Sequence, residues 1–500
     1  MRQSGVLMHI TSLPGPYGVG TMGKRAYAFI DFLKAAGQSQ WQLLPLTPTG
    51  FGNSPYQSCS TFAGNPYLID LELLVEENLL TRQELDAVNW GSDETRVDFG
   101  ALYENKLNIL RKAFQRHGHT EDFARFKGEN HWWLPGYGAF MVLKEHFCGA
   151  PWYQWPEELK QRKVPVIDAA VKIAGYEGYQ FHCFVQYLFY RQWEALRAYA
   201  HQNGISIIGD VPIYVPYDSV EVWSDPELFQ LDAQLAPTDV AGVPPDSFTA
   251  DGQLWGNPLY RWEAHKKDGY SWWLRRMEAA GKLYDTVRFD HFRGLESYWA
   301  VPYGDATARY GRWVKGPGSE LIEAIQKKLP QLRLIAEDLG YLTEEVLTVR
   351  DSAGLPGMKI LEFAFDSREP SDYLPHTYTR NAVCYTGTHD NMTMQQWFDT
   401  CSPDARAYAM EYMNLSEREG LVWGAVRTCM SCVCDTCILP MQDLLALGGE
   451  ARMNFPGTLS DNNWTWRIKD DIITKDLAQK LYKLTALYGR LGNQKEADSF

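Results

Sequence analysis

The sequence predicts an α/β protein, a (β/α)8 or TIM barrel with large, mostly helical and loop insertions after its second and third strands. Short apolar segments typical of buried strands recur along the 500-residue chain, and helical patterns follow several of them. Alternating apolar strands and helices indicate a parallel sheet covered on both faces. Eight strand–helix units in one chain are the number that closes such a sheet into a barrel.

Eight segments carry the strand pattern. They are residues 5–10, 41–46, 205–215, 286–294, 332–339, 357–365, 381–390 and 437–445. Helical patterns lie between several of them, for example at residues 24–36, 319–328 and 342–351. We therefore expect one catalytic barrel domain over residues 1–500, interrupted rather than divided into separate domains.

Two long stretches separate the early strands. Residues 50–200 carry helical signals and predict a helical insertion subdomain. Residues 216–285 are rich in Pro, Asp, Gly and Trp, which predicts loops. Because long ordered loops are usually functional, we expect this second insertion to form a lid over the active site.

Composition narrows the possible partners and compartment. The formal net charge is −14 without a basic patch, which argues against a nucleic-acid partner. We find no apolar window long enough to span a membrane and no secretory leader pattern at the N-terminus. Nine cysteines, an odd number, argue against a disulfide framework and favour a cytoplasmic protein. Aromatic residues make up 14% of the chain, and their flat faces suit sugar rings and large cores alike.

Two motifs are typical of a dinucleotide site and a metal site, but the residues around each motif argue against that interpretation. Residues 18–23 match G-x-G-x-x-G, but seven residues with two prolines separate them from the preceding strand, so we expect no dinucleotide cofactor. Cys429, Cys432, Cys434 and Cys437 supply four thiols that could hold zinc or an iron–sulfur cluster. A helix over residues 422–436 would spread these thiols over roughly 200° of its surface. We therefore predict buried packing cysteines and no metal.

Three acidic residues follow apolar strand segments: Asp290, Glu337 and Asp390. Active sites of (β/α)8 barrels form at the carboxyl ends of the strands. Arg288 shares a strand face with Asp290 and favours its ionised form, whereas Glu337 lacks a close cation in the sequence and can stay protonated. Two carboxyls in opposed environments are the arrangement of glycosidases. Ordinary ion pairs at the barrel rim remain the alternative interpretation.

Ten longer motifs resemble those of a known family and occur along the chain in that family's order. They are residues 13–18, 41–46, 54–58, 209–214, 241–246, 254–260, 288–294, 336–340, 387–391 and 452–454. With these motifs the sequence resembles the amylomaltases, the 4-α-glucanotransferases of glycoside hydrolase family 77 in the α-amylase clan. The resemblance covers nearly the whole chain.

The resemblance implies a catalytic role for each of the three acidic residues. Asp290 matches the nucleophile, Glu337 the general acid and base, and Asp390 the carboxylate that stabilises the transition state. A retaining double displacement would place the first two carboxyls about 5 Å apart. The implied reaction moves segments of α-1,4-glucans to the 4-hydroxyl of glucose or of another maltooligosaccharide, without a cofactor or a metal ion.

The resemblance also implies substrate-binding residues. Asp210 and His389 are expected to hydrogen-bond the donor sugar, Tyr56 to stack on it, and Arg288 to keep Asp290 charged. The remaining matched positions are Ser54, Phe248, Trp255, Asp366 and Asn463.

One departure bears on the reaction. Ser247 stands where family members usually carry Tyr, which weakens the expected stacking of an acceptor. An α-1,4-glucan hydrolase on the same scaffold is therefore an alternative. A non-catalytic glycan-binding protein is a further alternative, although all three acidic residues are present.

Overall fold

The computed structural model describes residues 2–118, 120–245, 249–340, 342–365 and 371–492. Two predicted binding residues, Phe248 and Asp366, and the departure at Ser247 lie outside the described residues.

The described residues form twelve strands in two sheets. They are β1 (Gln3–Leu7), β2 (Gln40–Gln42), β3 (Ser206–Pro212), β4 (Asp239–Val243), β5 (Gln253–Pro258), β6 (Thr286–Asp290), β7 (Ser297–Pro302), β8 (Arg312–Lys315), β9 (Arg333–Ala336), β10 (Gly357–Ile360), β11 (Ala382–Tyr385) and β12 (Thr436–Pro440).

Eight of these strands make a parallel sheet in the order β10-β11-β12-β1-β2-β3-β6-β9. The two end strands approach each other, since the Ala336 amide at the end of β9 donates to the Pro356 carbonyl just before β10, at 2.9 Å. Each of the eight predicted strand segments overlaps one of these strands, and β1, β2 and β12 begin one or two residues before the predicted segments. The (β/α)8 barrel predicted from the sequence is thereby confirmed.

The barrel strands are short and largely buried. Every residue of β2 and β11 is buried, and only one residue each of β1 and β12 is partly exposed. This near-continuous burial is expected of strands covered on both faces. Several strands end earlier than predicted: β11 stops at Tyr385, and the backbone turns where the Asn391 side chain accepts from the Thr388 amide. The polar residues after each strand thus lie in loops.

Nineteen α-helices are present among the described residues. They are α1 (Lys24–Ala35), α2 (Leu71–Glu76), α3 (Arg82–Asp86), α4 (Phe99–His117), α5 (Glu121–Glu129), α6 (Leu134–His146), α7 (Glu157–Lys160), α8 (Val164–Ala174), α9 (Tyr176–Gln202), α10 (Val220–Ser224), α11 (Trp262–Lys267), α12 (Ser271–Leu283), α13 (Ser319–Lys328), α14 (Glu344–Ser352), α15 (Met394–Thr400), α16 (Pro403–Tyr412), α17 (Leu421–Ser431), α18 (Met441–Leu444) and α19 (Lys475–Leu487).

Helices α2 to α9 occupy the stretch between β2 and β3. The 27-residue α9 is the longest of them, and its buried positions include Phe181, Phe184, Leu188 and Trp193. It packs against α4, α5, α6 and α8 of the same stretch and also contacts α1 and β3 of the barrel. These contacts join the inserted helices to the barrel core.

A second, antiparallel sheet has the order β5-β4-β7-β8. The sequence did not predict it, because its strands lie in or beside segments rich in glycine, proline and charged residues. β5 alternates partly buried and exposed residues along its first half and includes Gly256 at φ +75°. Two of its strands, β7 and β8, follow β6 and lie beyond the 216–285 stretch expected to be loops.

Helices long and apolar enough to cross a bilayer were sought over the described ranges, and none was found.

Candidate active site

Neighbouring barrel strands bring the predicted residues together at their carboxyl ends. In the parallel register Asp210 of β3 pairs with Arg288 of β6, and Asp290 ends that strand. β6 pairs in turn with β9, after which Glu337 follows directly. The Glu337 amide donates to the Phe289 carbonyl at 3.1 Å, so the two carboxyl-bearing strand ends lie side by side.

Arg288 bridges two carboxylates. Its Nη1 atom lies 2.7 Å from Asp210 Oδ2 and 2.9 Å from Asp290 Oδ1. The Asp210 side chain is fully buried, whereas 26% of the Asp290 side chain remains exposed. Burial raises the pKa of Asp290 to about 7, and the Arg288 guanidinium opposes this rise. Asp290 is thus the accessible member of a buried ion-pair network.

Glu337 is held by backbone amides rather than by a cation. The His291 amide donates to Glu337 Oε2 at 2.8 Å, and the Leu339 amide donates to Oε1 at 3.0 Å. Burial raises the pKa of Glu337 to about 8, and the nearby Asp290 charge adds to that rise. Burial thus favours the protonated form of both carboxyls, and the guanidinium of Arg288 in direct contact with Asp290 favours the ionised form there.

Asp390 lies in the loop after β11, and 41% of its side chain is exposed. Asn454 donates its Nδ2 hydrogen to Asp390 Oδ1 at 2.6 Å, and Arg452 donates to the Asp390 carbonyl at 2.8 Å. His389 Nε2 lies 3.3 Å from Asp390 Oδ2. The carboxylate is thus oriented by a neighbouring loop and still open to a ligand.

Tyr56 joins the loop after β2 to the buried network. Its hydroxyl donates to Asp210 Oδ2 at 2.7 Å and lies 2.9 Å from His389 Nε2. Because that hydroxyl proton is committed to Asp210, His389 Nε2 carries the hydrogen that Tyr56 accepts. Burial lowers the pKa of His389, which favours this neutral ring. The Tyr56, His389 and Trp464 rings pack together with centroids 5.3–5.8 Å apart.

The antiparallel sheet contributes an aromatic ring beside the catalytic strand. Trp255 of β5 contacts the His291 ring edge-on, with centroids 4.8 Å apart. His291 follows Asp290 directly and adopts the left-handed backbone conformation, at φ +51°. This local turn aims the His291 amide at Glu337 and the side chain at Trp255. Trp255 is partly exposed and borders the same strand end as Asp290.

Ser54 and Asn463 make contacts within the chain. Ser54 Oγ accepts from the Tyr56 amide at 3.2 Å and so positions that ring. Asn463 is buried; its Oδ1 atom accepts from the Phe455 amide, and its amide group donates to the Thr458 carbonyl. The Asp210 side chain is buried as well, and it contacts Arg288 and Tyr56.

Asn454 and Trp464 contribute side chains to the site, but they were not among the predicted site residues. Asn454 lies in the motif 452–454, which was noticed without a role, so the signal for it was present. Trp464 lies far along the chain from Tyr56 and carries no local signal, since only the folded loop brings its ring to the site.

Two carboxyls on adjacent strand ends, one paired with arginine and one held by amides, match the arrangement expected of an acid and a nucleophile in glycosyl-transfer enzymes. A (β/α)8 barrel with such a pair of carboxyls at its strand ends is typical of carbohydrate-active enzymes.

Comparisons with known proteins agree. Residues 8–474 match the family model described as 4-alpha-glucanotransferase. A 4-alpha-glucanotransferase of Clostridium butyricum is 47% identical over 97% of this chain and 100% of its own, and one of Thermus thermophilus is 46% identical over 98% and 99%. The amylomaltase of Streptococcus agalactiae in complex with acarbose superimposes with a TM-score of 0.95 at 42% identity, covering 98% of this chain and 100% of that one. The chain belongs to the 4-alpha-glucanotransferase family and is an enzyme of that class.

Proposed function

We propose that this enzyme transfers segments of α-1,4-glucans between maltooligosaccharides by a retaining double displacement. The observation that carries the proposal is the coupled pair of Asp290 and Glu337 at adjacent strand ends. A carboxylate paired with a guanidinium and a carboxyl that keeps its proton are the two groups that such a reaction requires.

In the first step Asp290 attacks the anomeric carbon of the donor. A bond forms between its carboxylate oxygen and C1 while the bond from C1 to the 4-oxygen of the next glucose breaks. Glu337 gives its proton to that leaving oxygen, so the released chain departs as a neutral alcohol. Arg288 keeps Asp290 ionised for the attack.

In the second step the roles of the pair reverse. The ionised Glu337 takes the proton from the 4-hydroxyl of an acceptor glucan, whose oxygen forms the new bond to C1. The bond from C1 to Asp290 breaks, which restores both carboxyls. Two inversions at C1 give net retention.

Asp390 stabilises the distorted sugar in both steps. Its exposed carboxylate, oriented by Asn454, accepts hydrogen bonds from ring hydroxyls, and these bonds strengthen as positive charge develops on the sugar. The rings of Trp255 and Tyr56 supply apolar faces on which sugar rings stack. A bound acceptor then reaches the intermediate at a high effective concentration and outcompetes water.

Pure maltotriose tests this function. Transfer yields glucose together with chains longer than three units, while the total number of reducing ends stays constant. A rise in reducing ends in proportion to turnover would instead identify a hydrolase. Absence of any product would identify a glycan-binding protein.

We also propose a reducing, cytoplasmic location. None of the nine cysteines is paired in a disulfide, and five of them lie in one buried region. Fractionation of the source cells with an activity assay tests this; activity in the secreted fraction would contradict it.

A further inference from the structure

Five buried cysteines converge on the outer side of the barrel. Cys384 lies on β11, Cys437 on β12, and Cys429 on α17; Cys432 caps the end of α17, and Cys434 follows two residues later. We call these five residues the cysteine cluster. Each of them is at most 6% exposed.

The helix that was expected to spread these thiols ends too early to do so. α17 stops at Ser431, and Cys432 already has extended backbone angles, φ −61° and ψ 166°. Cys432 and Cys434 therefore turn back toward β11, where Cys384 supplies a thiol that the motif 429–437 does not contain. A helix continuing through residue 436, as expected from the sequence, would have pointed these thiols away from a common ion; the observed helix ends five residues earlier.

The thiols lie at metal-ligand spacing. The Sγ atoms of Cys384, Cys432 and Cys434 all lie within 4.8 Å of one another, and those of Cys384 and Cys432 are 3.1 Å apart. Four sulfurs around a tetrahedral zinc ion with 2.3 Å bonds are about 3.8 Å apart. The Cys384 thiol also interacts with the thiols of Cys429 and Cys437. Neither of these sulfurs lies within 4.8 Å of all three, so one of them would have to move closer to act as a fourth ligand.

The surroundings suit a negatively charged centre. Arg490 is fully buried; its Nη2 atom donates to the Cys432 carbonyl at 3.0 Å and lies 3.7 Å from Cys432 Sγ. Arg2 donates to the carbonyl groups of Met430 and Cys432. Zinc with four thiolates carries two negative charges, which these two guanidinium groups balance.

We propose that the cysteine cluster binds one Zn²⁺ ion through Cys384, Cys432 and Cys434, with Cys429 or Cys437 as the fourth ligand. The ion is structural, because four thiolates leave no open position for substrate. It ties β11, α17 and β12 together behind the barrel wall. The exposed side chain of Val433, between two ligands, places the site just beneath the surface, where an ion can enter.

The side-chain alternation of β11 separates this centre from catalysis. Tyr385 sends its hydroxyl to Gln42 of β2, across the inside of the barrel, at 3.0 Å. Because consecutive strand residues face opposite sides, the neighbouring Cys384 faces outward to α17. The proposal therefore does not rest on the proposed transferase reaction, and either can fail without the other.

The test begins with the unaltered full-length protein, purified without a histidine tag from cells grown with zinc. Elemental analysis and native mass spectrometry are expected to find about one zinc per chain that survives dialysis against a weak chelator. Protein produced with cobalt should show thiolate-to-cobalt charge-transfer absorption and the visible bands of a tetrahedral site. These measurements need no variant and so do not depend on a variant folding.

Variants then assign the ligands. Cys432→Ser and Cys434→Ala should lower the zinc content to below about one fifth and remove the cobalt bands. Cys183→Ala, at an equally buried thiol in α9, is the matched control and should keep both. Separate Cys429→Ala and Cys437→Ala variants identify the fourth ligand, as the one whose loss releases the ion.

Several results would overturn the proposal. Nine freely titrating thiols in a zinc-free protein would mean that the cluster is packing alone. A mass deficit from an internal disulfide would make it a redox pair, and iron with visible absorption would make it an iron–sulfur site. Zinc retained in both the Cys432→Ser and Cys434→Ala variants would place the ion elsewhere.

Discussion

The proposed active site has two halves of different construction. The barrel half consists of Asp210, Arg288, Asp290 and Glu337, carried by the ends of β3, β6 and β9. The loop half consists of Tyr56, Trp255, Asn454 and Trp464, carried by connections and by the antiparallel sheet. Buried charges dominate the first half, and rings and an amide dominate the second.

The difference separates two tasks. In the proposed reaction, the ion pair and backbone amides of the barrel half control the protonation of two carboxyls and so the rate of bond breaking. The loop half orients Asp390 and offers ring faces, which governs binding and the choice between acceptor and water. Substitutions in the barrel half should therefore reduce kcat strongly. Those in the loop half should act more mildly, either on kcat through the orientation of Asp390 or on the partition between transfer and hydrolysis.

The largest effect is expected for Asp290→Asn. The amide cannot form the covalent intermediate, so transfer from maltotriose should fall on the order of 10⁴-fold, with the melting temperature nearly unchanged. Steady-state assays and thermal unfolding measure both quantities. Asp305→Asn, at an exposed aspartate after β7, is the control and should behave as the parent. Residual activity within tenfold of the parent would clear Asp290 of the nucleophilic role.

Glu337→Gln should come next, with a loss of about 10³-fold on maltotriose. Because the acid is needed to protonate a poor leaving group, α-maltosyl fluoride, whose fluoride leaves unaided, should form the covalent intermediate at a rate close to the parent's. Trapping that intermediate by mass spectrometry checks the assignment. Glu344→Gln, at an exposed glutamate in α14, is the control. Equal losses on both substrates would contradict an acid role.

Arg288→Met should lower kcat/KM by about 10²-fold and move the pH profile. In the parent, activity should fall at low pH as Asp290 gains a proton and at high pH as Glu337 loses one. Arg288 lowers the pKa of both carboxyls. Its removal should therefore shift both limbs to higher pH, whereas Arg288→Lys, which keeps the charge, should shift them less.

An unmoved profile in Arg288→Met would mean that the guanidinium does not set the ionisation of the pair. Circular dichroism is the folding check, since the substitution leaves the buried Asp210 without its ion-pair partner.

The two halves also differ in how far the sequence predicts them. Asp290 and Glu337 could be found because each follows an apolar strand segment, and parallel strands deliver such residues to one end of a barrel. Asn454 and Trp464 could not be assigned in this way, because their contacts form only when the loop over residues 452–464 folds back on Asp390 and Tyr56.

The antiparallel sheet was missed for a related reason. Its strands pair over a large sequence separation, β4 with β7, and its polar, glycine-containing segments are typical of loops. The short barrel strands, by contrast, are buried on both faces and so appear in the sequence as apolar runs. Cys384 lies far from the other cysteines in the sequence. Only the pairing of β11 with β12, which places Cys384 beside Cys437, brings it to them.

Within the loop half, Asn454→Ala should lower kcat about tenfold. Asn454 holds one oxygen of Asp390, so its loss leaves the carboxylate free to rotate away from the ring hydroxyls that it must bind in the transition state. Steady-state kinetics on maltotriose should show a fall in kcat larger than any rise in KM. Asn462→Ala, at an exposed position in the same loop, is the control. A change in KM alone would assign Asn454 to ground-state binding instead.

The smallest effect on turnover is expected for Trp255→Ala. The ring packs against His291 beside the strand end that carries Asp290 and supplies no group to the proposed bond-breaking steps, so donor cleavage should fall only a few-fold. Loss of an apolar face should instead admit water and weaken acceptor binding, which raises the fraction of turnovers ending in hydrolysis. Counting reducing ends against total glucose released measures that fraction. Trp313→Ala, at a half-exposed ring on the opposite edge of the same sheet, should leave it unchanged. If both variants hydrolyse the same fraction of turnovers as the parent, residues of the barrel half exclude the water. The proposed division of tasks between the two halves would then fail.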